Sequence, residues 1–368
     1  MNIPPQSPFS PVTIRGMAFR GMATAAMILC SASLSAESLN GTNASTPSPK
    51  ASTTPVAPAS PVKSKPVISG TAPWAYQSVP GWGMSKLGQF PGPTHGGVAI
   101  GHDGLIYAST DNEKGILVFK PDGELVRSIA PDCRGCHALI LREEGGREYL
   151  YAAHLLGNRI VKLTTDGAIV WTLTAPPESG LYPAKPFNPT SVAVAPDGSL
   201  FVADGYGASV IHRYSPELKY LGTITEAGGV KLSCPHGILI DTRTITPTLL
   251  VCDRVNRRII RLGLDGSYIG LVASGLHLPS TMAIYGDTTA VTELEGRVDL
   301  LNQKGDIIST LGENLNKNEQ ANYGVPPDAW HEGIFTAPHG ICFDANGNLF
   351  VTDWNRWGRI SRLDRLNP

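Results

Sequence analysis

The chain has 368 residues, of which 42% are hydrophobic and 17% charged, with a formal net charge of −1. A near-neutral chain without a long basic run excludes nucleic acid and an anionic membrane surface as its main partners. Its 40 Gly and 30 Pro, beside enough apolar residues for a large core, point to a turn-rich β-protein.

The first element is a targeting segment. Arg15 and Arg20 precede an apolar run from Gly21 to Cys30, then small residues to Ala36, with Ser33-Leu34-Ser35-Ala36 as the cleavage site before Glu37. Residues 1–36 are therefore read as a signal peptide. Cys30 is not read as a lipidation site, because Ile28-Leu29 lacks the small residue such sites require. The apolar run is too short for a membrane span. Residues 37–71, rich in Pro, Ser, Thr, Ala and Lys, read as a disordered linker. The mature protein is expected to be secreted or periplasmic, and monomeric.

Residues 72–368 carry a repeat. Each copy has an apolar strand, a tight turn, a second apolar strand ending near an acidic residue, and a third strand. The third copy is the clearest: Pro189-Thr190-Ser191-Val192-Ala193-Val194, Pro196-Asp197-Gly198, Leu200-Phe201-Val202-Ala203-Asp204. The sixth repeats it from Ile341 to Asp353. Asp-Gly and Asn-Gly pairs between short apolar runs are hairpin signals. The equivalent positions are Gly96, His137, Thr190, His236, Ser280 and His339, spaced by 41, 53, 46, 44 and 59 residues. That is propeller-blade spacing, and no stretch holds a helical period. The expectation is an all-β, six-bladed β-propeller. The sixth copy ends too early for a fourth strand, so Trp74 to Trp82 is expected to donate it and close the ring.

Three histidines fall at one point of every second repeat: His137 in Cys136-His137-Ala138, His236 in Pro235-His236-Gly237, and His339 in Pro338-His339-Gly340. Alternate blades of a six-fold ring are related by a pseudo-threefold, so three imidazoles can converge on the axis. Three protein ligands with an open fourth position make a catalytic zinc site. The competing reading is a habitual blade-opening turn whose imidazole bonds a neighbouring strand. His95 lies near the channel entrance, one residue out of register. His154 replaces the acidic residue that ends the second strand of blade 2, and His277 and His331 read as solvated.

Five cysteines remain after cleavage: 133, 136, 234, 252 and 342. Cys252 and Cys342 sit in apolar strands and read as small buried hydrophobes. Cys133-Arg134-Gly135-Cys136-His137 matches the attachment motif for c-type haem, and equally admits a disulfide or two thiols. Haem competes there with the placing of His137 among the three histidines.

Past the second strand, Asp204-Gly205-Tyr206 and Cys252-Asp253-Arg254 reach the same channel end. Asp204, Asp253 and Asp353 read as turn caps. Tyr206 beside a dication and the Arg254 guanidinium would have its phenolate favoured, which suits a general base. The long polar stretch 314–335 reads either as a lid on this face or as a surface insertion.

The stretches Phe201 to Ser209, Pro235-His236-Gly237-Ile238, Asp253 to Ile259, and Ala337-Pro338-His339-Gly340 resemble the NHL-repeat propellers, and within them the peptidyl-α-hydroxyglycine α-amidating lyases. The resemblance covers nearly all of residues 72–368. It implies His137, His236 and His339 as zinc ligands, Tyr206 as base and Arg254 as its cationic companion. In that family zinc acts as a Lewis acid on the substrate hydroxyl, tyrosine removes its proton, and the C–N bond breaks to give a peptide amide and glyoxylate. Three positions depart from the family pattern. Gly96 stands where the family has arginine, Ala337 where it has methionine, and Gly340 where it has an aspartate tied to a structural calcium. Calcium is accordingly not expected. Three function classes follow: a secreted zinc-dependent lyase on a small-molecule or peptide substrate, a non-catalytic propeller binding protein, peptide or glycan, and a haem c redox protein.

Overall fold

The computed structural model describes residues 64–182 and 184–366; the expected signal peptide, Cys30 and most of the expected linker lie outside the described residues. The repeat folds as expected into six antiparallel sheets. In each of the first five, four strands follow one another in sequence order. Blade 3, for example, consists of Ser191–Val194, Leu200–Asp204, Val210–Tyr214 and Tyr220–Ile224. The six inner strands are Thr94–Ile100, Cys136–Glu144, Ser191–Val194, Pro235–Asp241, Pro279–Tyr285 and Pro338–Phe343. Each packs on the next and the sixth packs on the first, which closes the ring.

Closure comes from the segment expected to supply it. Tyr76–Ser78 is the fourth strand of blade 6, with Tyr76 opposite Arg365 and Ser78 opposite Leu363. A further strand, Ile68–Ser69, pairs with it. The sheet therefore begins inside the stretch 37–71 that composition assigns to a disordered linker. Local bonds explain the difference: the Val67 N–H donates to Ser78 Oγ, and the Thr71 N–H donates to Ser309 Oγ.

Blade stacking explains why the strands are continuously apolar rather than alternating. The second strands Leu200–Asp204, Thr248–Asp253 and Leu349–Asp353 are buried at every residue, because each sheet has a neighbour on both faces. An apolar cluster fills each junction. Tyr107 and Val118 meet Leu139 and Leu150 between blades 1 and 2. Trp82 fills the closing junction, 5.0 Å from Phe350 and 5.5 Å from Phe119 between ring centres. Each such side chain contributes about 1.5–3 kcal/mol when fully buried.

In blades 3, 4 and 6 the aspartate ending the second strand ties down the entry to the inner strand. Asp204 Oδ1 accepts from the Asn188 N–H at 2.7 Å, Asp253 Oδ1 from Ser233 at 2.8 Å, and Asp353 Oδ1 from Ala337 at 2.7 Å. In blade 2, His154 does the same with opposite polarity, its Nε2 lying 2.9 Å from the Arg134 carbonyl oxygen. These residues hold the inner strands in place, and with them the side chains on the axis.

Candidate metal centre

A bulge aims the central histidines. In blade 2, Cys136 faces His154 and Ala138 faces Ala153, so His137 is an extra residue. In blade 6, Pro338 faces Asp353 and Gly340 faces Thr352, so His339 is extra. Blades 4 and 5 interrupt their register in the same way at His236 and Ser280. An extra residue bends the strand and redirects its side chain. Here it turns the imidazoles into the channel.

Blade 1 departs from the rule. Thr94 faces Thr110 and Val98 faces Ala108, so His95, Gly96 and Gly97 all stand opposite Ser109. This bulge is one residue longer than the others. Counted from the end of the strand, Gly96 is the equivalent of His137; counted from its start, His95 is. The structure therefore corrects the sequence reading of His95 as out of register and brings it into the cluster. The sequence signal was present, since Thr94-His95-Gly96-Gly97-Val98 parallels Pro338-His339-Gly340-Ile341 with one glycine inserted and Thr and Val in place of Pro and Ile.

Four histidines meet at the centre. The rings of His137 and His339 are 4.7 Å apart and form a shared edge. His236 lies 4.6 Å from each of them, and His95 lies 4.5 Å from His137 and 4.8 Å from His339. Ligand atoms of His95, His137 and His339 all fall within 4.8 Å of one another, a spacing from which three side chains can close on a metal ion.

Hydrogen bonds set two of the rings. His137 Nδ1 lies 2.6 Å from the Thr190 carbonyl oxygen, and His236 Nδ1 lies 2.7 Å from that of Ser280. A carbonyl only accepts, so both Nδ1 atoms carry the proton and both Nε2 atoms offer lone pairs. Each bond runs to the equivalent residue of the next blade. His339 Nδ1, by contrast, is buried with no hydrogen-bond partner among the described residues.

Arg254 and Tyr206 join the cluster, as their positions past the second strands suggest. Arg254 is only 5% exposed, with Nη2 2.5 Å from His236 Nε2 and 3.1 Å from both His339 Nε2 and Ser280 Oγ. Its Nη1 donates to Tyr206 Oη at 3.0 Å. The same phenol oxygen lies 3.1 Å from His236 Nε2 and 3.3 Å from His137 Nε2.

Burial keeps all four imidazoles uncharged. Desolvation drives His137, His236 and His339 well below the usual histidine range and His95 to about 3. The Arg254 charge acts in the same direction on each of them. Neutral imidazoles are the nitrogen donors that zinc and similar borderline ions prefer, and His95, His137 and His339 bring theirs close enough together to fit such an ion. The same set offers no carboxylate or carbonyl cage for calcium. Gly340 cannot become one, because a Cβ there would stand 2.0 Å from the Gly96 carbonyl oxygen.

The cysteine motif does other work. Cys133 and Cys136 are buried free thiols in the cluster between blades 1 and 2, and the Cys136 thiol donates to the Cys133 carbonyl at 3.0 Å. The two are not joined in a disulfide here. Their placement also leaves no outlet for a covalent haem, since both sulfurs are packed in the core and His137 faces the axis. The stretch 314–335 connects to the cluster through Tyr323. The Tyr323 ring is 5.0 Å from Trp354, which is stacked 6.1 Å from His95.

No family model matches the chain. The chain is similar to peptidyl-alpha-hydroxyglycine alpha-amidating lyase 2 of Drosophila melanogaster, at 29% identity over 174 residues. That match spans 45% of this chain and 39% of the fly protein's length. A gluconolactonase from Xanthomonas campestris has the same fold with a TM-score of 0.57 at 15% identity, over 85% of this chain and 99% of that one. A streptogramin B lyase aligns with a TM-score of 0.52 at 15% identity, over 75% of this chain and 94% of that one. These structures share the propeller architecture, on which a lyase and a lactonase have both been built.

Proposed function

We propose that the chain is an exported, metal-dependent carbon–nitrogen lyase. In this reading His137, His236 and His339 hold zinc, and the substrate is an α-hydroxy compound related to a peptidyl-α-hydroxyglycine. One observation carries the proposal: Tyr206 Oη lies 3.1 and 3.3 Å from two histidine Nε2 atoms and 3.0 Å from the Arg254 guanidinium. A phenol so placed is within reach of any hydroxyl that shares the histidines' metal.

Bound zinc supplies Lewis acidity toward a substrate oxygen. The chain's own residues do the rest. Tyr206, as the phenolate that the Arg254 guanidinium stabilises, accepts the hydroxyl proton, and the neutral phenol so formed is the source of the proton that the leaving nitrogen takes up. As the carbonyl forms, the C–N bond breaks and its electron pair goes to nitrogen, which takes up a proton to leave as an amide. The Thr190 and Ser280 carbonyls hold His137 and His236 in the ligating tautomer. Gly96 presents no cation, so the substrate's carboxylate is not clamped from blade 1.

A second reading, a metal-free binding propeller, is favoured by the Arg254 Nη2 contact with His236 Nε2 at 2.5 Å. There the guanidinium itself serves as the cation facing the lone pairs. Incubation of the zinc-loaded protein with a peptidyl-α-hydroxyglycine, followed by assay of glyoxylate, separates the two. Glyoxylate release that is lost in Tyr206→Phe supports the lyase. No release from fully metallated protein would remove the lyase, and a chain that takes up no zinc would leave the binding propeller.

A further inference from the structure

We propose that His95 is a fourth protein ligand of the central metal, so that the ion is held by four imidazoles when no substrate is bound. The inference rests on the reading of this centre as a metal site and adds a residue to it.

Three observations carry it. The first is register: the long bulge of blade 1 places His95 one residue after the Thr94–Thr110 pair, as His339 stands one residue after the Pro338–Asp353 pair. The second is a matched pair of backbone bonds. Thr352 Oγ1 donates to the His95 carbonyl at 2.8 Å, and Thr292 Oγ1 donates to the His339 carbonyl at 2.9 Å. Both threonines stand opposite the bulge of the preceding blade, so His95 and His339 occupy the same slot of consecutive blades.

The third observation is the packing of the rings. On a tetrahedral ion with Zn–N distances of about 2.0–2.1 Å, imidazole centres stand roughly 5 Å apart, and five of the six pairs among these rings are 4.5 to 4.8 Å apart, all but His95 with His236. The His95 ring is 4.5 Å from His137 and 4.8 Å from His339, on the side of that pair covered by Trp354. Gly96 makes this approach possible: a Cβ there would meet His339 Nδ1 and the His137 carbonyl oxygen, both at 2.5 Å. The inserted residue has to be a glycine for the two rings to come together.

A centre with four imidazoles keeps no open position at rest, unlike a three-histidine catalytic site. A substrate oxygen then has to compete with His95 for its place. Trp354, stacked on His95 and in contact with Tyr323, ties that competition to the stretch 314–335.

Cobalt(II), used in place of zinc, reads the coordination directly. The visible spectrum of the wild-type cobalt protein is expected to be unchanged by azide, because no position is open. In His95→Ala and His95→Gln, azide is expected to shift the spectrum, and zinc affinity to fall about tenfold to hundredfold in competition with a chelator. An azide-sensitive wild-type spectrum would overturn the proposal without any variant, and so would His95 variants that bind zinc as tightly as wild type. Failure of the wild-type chain to bind cobalt or zinc at all is a different outcome. It removes the metal site itself and His95's role with it.

Discussion

A side chain at Gly96 and the ring of His339 cannot coexist: a Cβ at position 96 would lie 2.5 Å from His339 Nδ1. The same Cβ would lie 2.5 Å from the His137 carbonyl, which is backbone and cannot swing away. Gly96→Ala is therefore expected to cost about 1–3 kcal/mol of stability by overpacking, and to weaken metal binding as well. Gly270→Ala, at a position with no atom within 4 Å of an added Cβ, is the control. Denaturant midpoints of the two variants check this. Equal midpoints would contradict it.

Tyr206 carries the proposed proton transfer, so Tyr206→Phe isolates it. The ring packing against His137 at 5.1 Å and His236 at 5.5 Å is retained, and only the hydroxyl is lost. Turnover is expected to fall by about 10²–10⁴ while metal content and stability hold. A variant that turns over at the wild-type rate would remove Tyr206 from the chemistry.

Tyr76 tests ring closure. It is 2% exposed, on the N-terminal strand that completes blade 6, and packs with Val298, Leu311 and Leu363. Tyr76→Ala is expected to destabilise the propeller by about 3–5 kcal/mol, as for other buried aromatics. A loss below about 1 kcal/mol, the ordinary size for a surface change, would mean that the strand is dispensable.

Buried histidines away from the centre set an acid limit. His154 and His212 are each held down to about 4, mainly by burial. The unfolded chain takes up their protons near pH 6.5, whereas the folded chain waits until about 4. Their stabilisation is therefore full above pH 6.5 and is lost as the pH falls toward 4. The slope is up to about 1.4 kcal/mol per pH unit for each histidine. His212→Gln is expected to remove one proton's worth of that slope. Stability that stays flat between pH 7 and 5 would contradict the assignment.

Much of this was legible in the chain because a propeller repeats its own punctuation. Asp197-Gly198 and Asn346-Gly347 mark turns, and the strand from Leu200 to Asp204 is apolar throughout because both faces meet another blade. His137, His236, His339, Tyr206 and Arg254 were found from spacing and motif, and the structure brings all five together. Two features were not legible. Ile68–Ser69 is too short a strand for its composition to betray, and only pairing with Tyr76–Ser78 defines it. His95 was displaced by counting alone: an inserted glycine shifts sequence register by one, while the longer bulge absorbs the shift in space.

The most direct test of the central claim is metal per chain by elemental analysis, measured on the purified protein beside His137→Ala and His339→Ala. These two histidines form the shared edge of the cluster, 4.7 Å apart between ring centres, so any central ion needs them. About one zinc or similar ion per chain is expected, as a single closed site holds, with the ion lost in both variants while the fold persists. A metal-free wild-type protein, or variants that keep their full metal content, would contradict it.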